Sequence, residues 1–146
     1  MDEAEIIRYI TETFDDVRVV GAHNAHFFFL DPEQKFPFVT LVTDDTHDQA
    51  SDLSRPGVFR LNIGVGPEAY RSRFGPQPAF PRDGGVVNTG HDFTALDQLM
   101  PHPVYAAMSW VCVLNRDKTL EEVKALLAEA YALDAKKHVK RKADES

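Results

Sequence analysis

The sequence predicts an α+β domain: a single antiparallel sheet flanked by an N-terminal and a C-terminal helix. Three stretches carry that prediction. Residues 109–115, SWVCVLN, hold no charge and have the length and composition of a strand covered on both faces. Residues 58–65 alternate, with Phe59, Leu61, Ile63 and Val65 on one side and Val58, Arg60, Asn62 and Gly64 on the other. Residues 120–133 repeat Leu120, Val123, Leu126, Leu127, Ala130 and Tyr131 at three- and four-residue spacing, the stripe of a helix with one buried side. A doubly covered strand belongs inside a sheet, so residues 110–114 are expected there with the last helix docked over them.

The remaining elements follow from the N-terminus. Asp2 and Glu5 stand at capping-box spacing, and Ile6, Ile7, Ile10 and Phe14 then form one apolar stripe, which predicts a surface helix. Residues 17–20 are a short strand before the polar turn GAHN. Residues 25–30, AHFFFL, and 38–43, FVTLVT, are two more strands, separated by a turn at 31–35 that contains Pro32. Short connections between successive strands imply an antiparallel meander. Residues 44–55 are polar and read as a surface loop. Pro67 just inside a start and Gly75 just past an end bracket a short helix. A long Gly- and Pro-rich loop follows, then room for a helical turn or two at 93–100, capped by Asp92 or Thr94. Thr119 and Glu122 have the spacing of a capping box at the head of the final helix.

At 146 residues the chain has the size of one domain, and burying roughly two thirds of its unfolded surface would support an independent core. Residues 1–135 are assigned to that domain and 136–146 to a charged, disordered tail. The formal charge of −7 is uneven, because residues 136–142, KKHVKRK, hold five of the 16 Lys and Arg. Without residues 136–146 the body keeps 11 basic against 21 acidic side chains, a charge of −10. Such a surface repels a phosphate backbone, so nucleic acid is not the expected partner; a small molecule or another protein is. The acidic start MDEAEIIRYI is unlike a signal peptide, and no apolar run approaches the roughly 20 residues that span a bilayer. The expected location is the cytoplasm, away from membranes. The lone Cys112, in the most apolar strand, fits a reducing compartment and a packing role.

Lys35-Phe36 entering a strand, Gly66-Pro67-Glu68 opening a short helix, Trp110-Val111 in the last strand and Glu129-Ala130-Tyr131 late in the final helix together resemble the MmcQ/YjbR-like group of small bacterial proteins. The resemblance covers residues 1–134 as an order of elements, and within that group an uncharacterised bacterial family of about this length looks closest. Related proteins more often carry Ser where Ala130 stands, and the loop from 75 to 101 is longer here. The resemblance implies a sheet with helices on one side and a double-wing DNA-binding role. It transfers no catalytic residues.

Candidate chemistry is sparse. His23 and His26 are three apart in a turn entering a strand, which points them to opposite faces. Asp44, His47 and Asp48, with Asp45 beside them, offer the nitrogen and carboxylate ligands that divalent metals use, though without a signature spacing, and a solvated loop has the same composition. Arg60 and Asn62 lie on the non-core face of their strand, a face that in antiparallel sheets is ordinarily wet. If a helix or the long loop covers it, they would line a polar pocket with Arg55, His102 and Tyr105. His102, held between Pro101 and Pro103, suits a general acid or base and equally a cap at the chain's entry into the strand. Ser109 has no glycine elbow, Cys112 has no neighbouring base, and no Gly-rich phosphate loop precedes a helix. The aromatics Phe27, Phe28, Phe29, Phe36 and Phe38 are assigned to the core. The expectation is a non-catalytic ligand-binding or interaction module without a cofactor. Its rivals are a small-molecule enzyme or metal-dependent hydrolase using the 44–55 loop, Arg60, Asn62 and His102, and a DNA-binding protein.

Overall fold

The computed structural model describes residues 2–22, 24–30, 36–82, 85–115 and 118–145, and the side chains of those up to 137. Six strands form one sheet in the order β1-β2-β3-β4-β6-β5: β1 Arg18–Ala22, β2 Ala25–Phe29, β3 Val39–Val42, β4 Arg60–Gly64, β5 Met100–Pro101 and β6 Trp110–Leu114. Every strand pair is antiparallel. The helices are α1 Glu3–Thr13, α2 Pro67–Phe74 and α3 Leu120–Glu145, with a single 3-10 turn at Tyr105–Met108. The predicted α+β architecture is therefore the observed one. Among the described residues no helix is long and apolar enough to cross a membrane.

Local chemistry explains most boundaries. Asp2 accepts the Glu5 amide at 2.9 Å and the Glu5 carboxylate reaches back to the Asp2 amide, the reciprocal box expected at the head of α1. The β1–β2 hairpin pairs Ala22 with Ala25, and Asn24 takes φ +59, a left-handed conformation its short amide tolerates in a two-residue turn. The strand thus continues to Ala22, past the point where the polar turn was expected to begin. The turn expected at 31–35 falls outside the described residues.

Pairing register sorts the side chains into two faces. Phe28, Val39, Leu41, Leu61, Ile63, Val111 and Val113 lie on one face, all fully buried. Ile6, Ile10 and Phe14 of the first helix segment and Val123, Leu126, Leu127 and Ala130 of α3 belong to the same core, and α3 packs against β4. Phe14 stacks on Tyr131 with ring centroids 4.8 Å apart, tying the two helices together. On the other face β4 presents Arg60, Asn62 and Gly64, in register with Val42, Thr40 and Trp110 respectively.

Two expectations are corrected. First, residues 93–100 are not helical. The Asp97 amide donates to Leu114 O at 2.7 Å and Leu96 bridges Leu114 in parallel, so this backbone finds its partners on the outer edge of β6 and covers it. Asp92 caps only a local turn, accepting the Thr94 amide at 3.0 Å and hydroxyl at 2.6 Å. Second, the Thr119–Glu122 box is replaced by a distant acid: Asp97 accepts the amides of Lys118 and Thr119 and the Thr119 hydroxyl, while Glu122 pairs with Arg73. The helical backbone of α3 extends to Glu145, as the Lys, Arg and Ala content of its last turns permits. Residues 110–114 lie inside the sheet as expected, but among the described residues only the two-residue β5 and the 96–97 segment lie beyond them.

Gly66, before α2, shows how tightly α3 is seated. Its φ of +90 and ψ of 164 belong to a region open essentially to glycine, and an added Cβ would come within 2.5 Å of Leu133 Cδ2. Gly66→Ala is expected to cost about 1–3 kcal/mol in denaturant unfolding. A variant as stable as the parent would show that α3 and the β4–α2 connection are not packed this way.

Candidate functional site

Arg60 and Asn62 do not lie on a wet face, contrary to expectation: they are 1% and 2% exposed. The cover is the 44–55 loop, whose acids build it from within: Asp44 accepts the Thr46 amide, Asp45 the Leu53 amide and Asp48 the Ala50 amide, at 2.9, 2.9 and 3.2 Å. Ser51 and Leu53 are buried despite the loop's polar composition. Asp48 thereby reaches Arg60 in a two-pronged pair, Nη1 to Oδ1 at 2.9 Å and Nη2 to Oδ2 at 2.6 Å. Arg60 Nη1 also donates to Ser51 Oγ at 3.0 Å, and Nε to Asn62 Oδ1 at 2.9 Å. Asn62 Nδ2 donates across the β3–β4 register to Thr40 Oγ1 at 2.9 Å.

His102 borders the same face from the β5–β6 connection and is 3% exposed. Its Nδ1 accepts the amides of Val104 and Tyr105 at 3.0 and 2.9 Å, so it caps the 3-10 turn. The Tyr105 ring lies tilted against it, centroids 5.1 Å apart. Burial, with the positive charge of Arg60 added, pushes His102 down to about 3, only partly opposed by Asp48. Of the two roles its flanking prolines allowed, the cap is the one its geometry displays. An imidazole held neutral down to about pH 3 is a weak base, not one poised for general acid–base work near neutrality. Burial works to raise the Asp48 carboxyl, but the hydrogen bonds and charge of Arg60 outweigh it and hold it below its ordinary value. Cys112, which donates weakly to Pro101 O, is pushed up to about 12 by burial.

Above this floor opens a cavity of about 1080 Å³. Its polar base is Thr40, Asp48, Arg60, Asn62 and His102, and aromatic walls come from Phe27, Phe38, Tyr105 and Trp110. Leu133 and Lys137 of α3, with Gly66 and Pro67, form part of the rim. The Trp110 indole lies over Gly64, where an added Cβ would sit 3.0 Å from the ring, so the glycine lets the ring flatten against the sheet. A second cavity of about 730 Å³ adjoins and shares His47, Asp48 and Val104 with the first.

Four of the five residues expected to gather here do so: Arg60, Asn62, His102 and Tyr105. Arg55 does not. Its guanidinium donates to the carbonyls of Ser51, Asp52 and Thr94, bracing the covering loop against the 93–95 turn. Among the described residues no three His, Cys, Asp or Glu are grouped to hold an ion. Asp44 binds Asn24 and Thr46, Asp48 binds Arg60, and His47 meets the edge of Phe27. His23 lies outside the described residues. Phe36, expected in the core, is 66% exposed at the cavity mouth. Thr40, Ser51 and Trp110 were missed as site residues. Thr40 alone left a trace, the one hydroxyl among the four residues of β3.

The fold and this cavity define an antiparallel-sheet domain with an open cavity bordered by one sheet face, the loops over it and part of α3. The chain belongs to a family of unknown function, DUF6194, whose model matches residues 1–143. No curated protein and no solved structure matches it.

Because the unfolded histidine takes up a proton near its ordinary value of 6.5 while the folded one resists to about 3, His102 favours the native state fully above pH 6.5 and progressively less as pH falls. The loss approaches about 1.4 kcal/mol per pH unit in that window. His102→Asn retains an acceptor for the two amides but cannot titrate, so its stability, measured by denaturant unfolding from pH 7 to 4, should fall less steeply than the parent's. Parallel profiles would place His102 in solvent.

Proposed function

We propose that this protein is a non-catalytic small-molecule-binding module whose ligand occupies the cavity over β3, β4 and β6. The observation that carries the reading is the combination of an aromatic-walled cavity of about 1080 Å³, the size of ligand sites, with a floor whose ionisable groups are already committed. Asp48 is engaged by Arg60, His102 is neutral and caps a turn, and the Cys112 thiol stays protonated. Such a floor can orient a ligand but offers no poised acid, base or nucleophile, which weighs against the enzyme reading. The formal charge of −10 on residues 1–135 weighs against the DNA-binding role that the likeness to the MmcQ/YjbR-like group implies.

Trp110 is the chain's single tryptophan and lines the cavity, so emission near 340 nm reports occupancy with no other indole to confuse it. A thermal-shift screen of small metabolites should find ligands that raise the melting temperature, as any native-state ligand must, and the same ligands should change Trp110 emission. Stabilising ligands that leave Trp110 unchanged would put the binding site elsewhere, and a broad screen without stabilisation would overturn the reading.

A further inference from the structure

The direction of each hydrogen bond along the floor identifies the chemistry that fits it. Arg60 sets that direction, because a guanidinium has five N–H donors and no acceptor. Its Nε–H donates to Asn62 Oδ1, which fixes the amide with oxygen toward Arg60 and nitrogen away. Asn62 Nδ2 then donates to Thr40 Oγ1, so the hydroxyl accepts on that side and its own proton points elsewhere. On the other flank, two amides donate to His102 Nδ1, so the ring proton of the neutral imidazole sits on Nε2. All three side chains line the cavity. What they leave for an occupant is a set of neutral donors: the Thr40 hydroxyl proton, the second proton of Asn62 Nδ2 and His102 Nε2–H.

We propose that the cavity takes an uncharged, ring-bearing molecule with a carbonyl or equivalent acceptor, the acceptor seated on Thr40, Asn62 and His102 and the ring against Phe27, Tyr105 and Trp110. The proposal rests on the pocket reading above. It excludes an anion at the floor, since Asp48 already balances Arg60 and a second carboxylate would be buried beside the first without a free cation. It excludes an ammonium seated on Thr40, Asn62 and His102, which would meet their donors. Lys137 stands exposed at the rim, outside this set.

The test uses four probes of one shape, 1-indanone, indane, indane-1-carboxylate and 1-aminoindane, titrated into the full chain at pH 7.5 and read by Trp110 emission. 1-Indanone is expected to bind best, roughly three- to tenfold tighter than indane for each hydrogen bond gained, with the acid and amine below it. Thr40→Val should weaken 1-indanone by a similar factor and leave indane unchanged. Should that variant fail to fold, the His102 Nε2–H resonance of the unaltered chain must move on adding 1-indanone and stay still on adding indane. Equal binding of ketone and hydrocarbon, or no movement of that resonance, would overturn the acceptor assignment while leaving the pocket as a ligand site. Tighter binding of the acid or amine would overturn the charge argument. Failure of all four to bind would overturn this proposal, and the pocket reading would then stand or fall by the broad thermal-shift screen.

Discussion

A guanidinium in the middle of a sheet must be answered by a carboxylate, and most of this structure's functional face follows from that requirement. Arg60 is the largest fully buried side chain among the described residues, on a strand whose opposite face is needed for the helical core. Left unpaired there it would cost several kcal/mol. The answering Asp48 is twelve residues earlier in a segment with no helix or strand of its own, so that segment must fold down over the sheet. Covering the face is thus a consequence of neutralising one charge. The loop's own carboxylates cap its turns, Arg55 ties it to Thr94, and Leu53 and Ser51 are carried inside.

The same residue organises polarity. Because Arg60 can only donate, Asn62 and Thr40 are each oriented in turn, and the chain of donors ends at the cavity. Its charge also helps to keep His102 neutral, which preserves the lone pair that holds the 3-10 turn and leaves the other ring nitrogen as a donor. Burial depth, ring tautomer and amide orientation are therefore linked features of one network. A pocket built this way is preorganised: its polar groups hold their positions through contacts with the protein, and an occupant need not rearrange them.

Much of the fold was legible because it rests on local signals. The Asp2–Glu5 box, Pro67 and Gly75 around α2, the alternation in β4 and the uncharged run of β6 all act within a few residues of themselves. Misreadings occurred where a partner lies far off in sequence. Asp97 reaches the head of α3 across 22 residues and displaces a box that local spacing supported. The 93–100 segment looked capped and helical, yet the exposed edge of β6 offered its backbone better partners. At the site, Arg60, Asn62, His102 and Tyr105 could be grouped by the phase of one strand and by proximity to another. What that phase could not reveal was that the 44–55 loop folds over Arg60, or that Asp48 pairs with it. Thr40 becomes visible as a site residue only once register sets it beside Asn62.

The dependence of the covered face on one ion pair is most directly tested by a double-mutant cycle on Asp48 and Arg60, using Asp48→Leu and Arg60→Met and reading unfolding free energies in urea at pH 7. A buried, mutually required pair predicts that Arg60→Met alone costs about 3–5 kcal/mol and that adding Asp48→Leu recovers a large part of it. Single variants that each cost under about 1 kcal/mol, with no coupling between them, would be the behaviour of an exposed pair and would contradict the account.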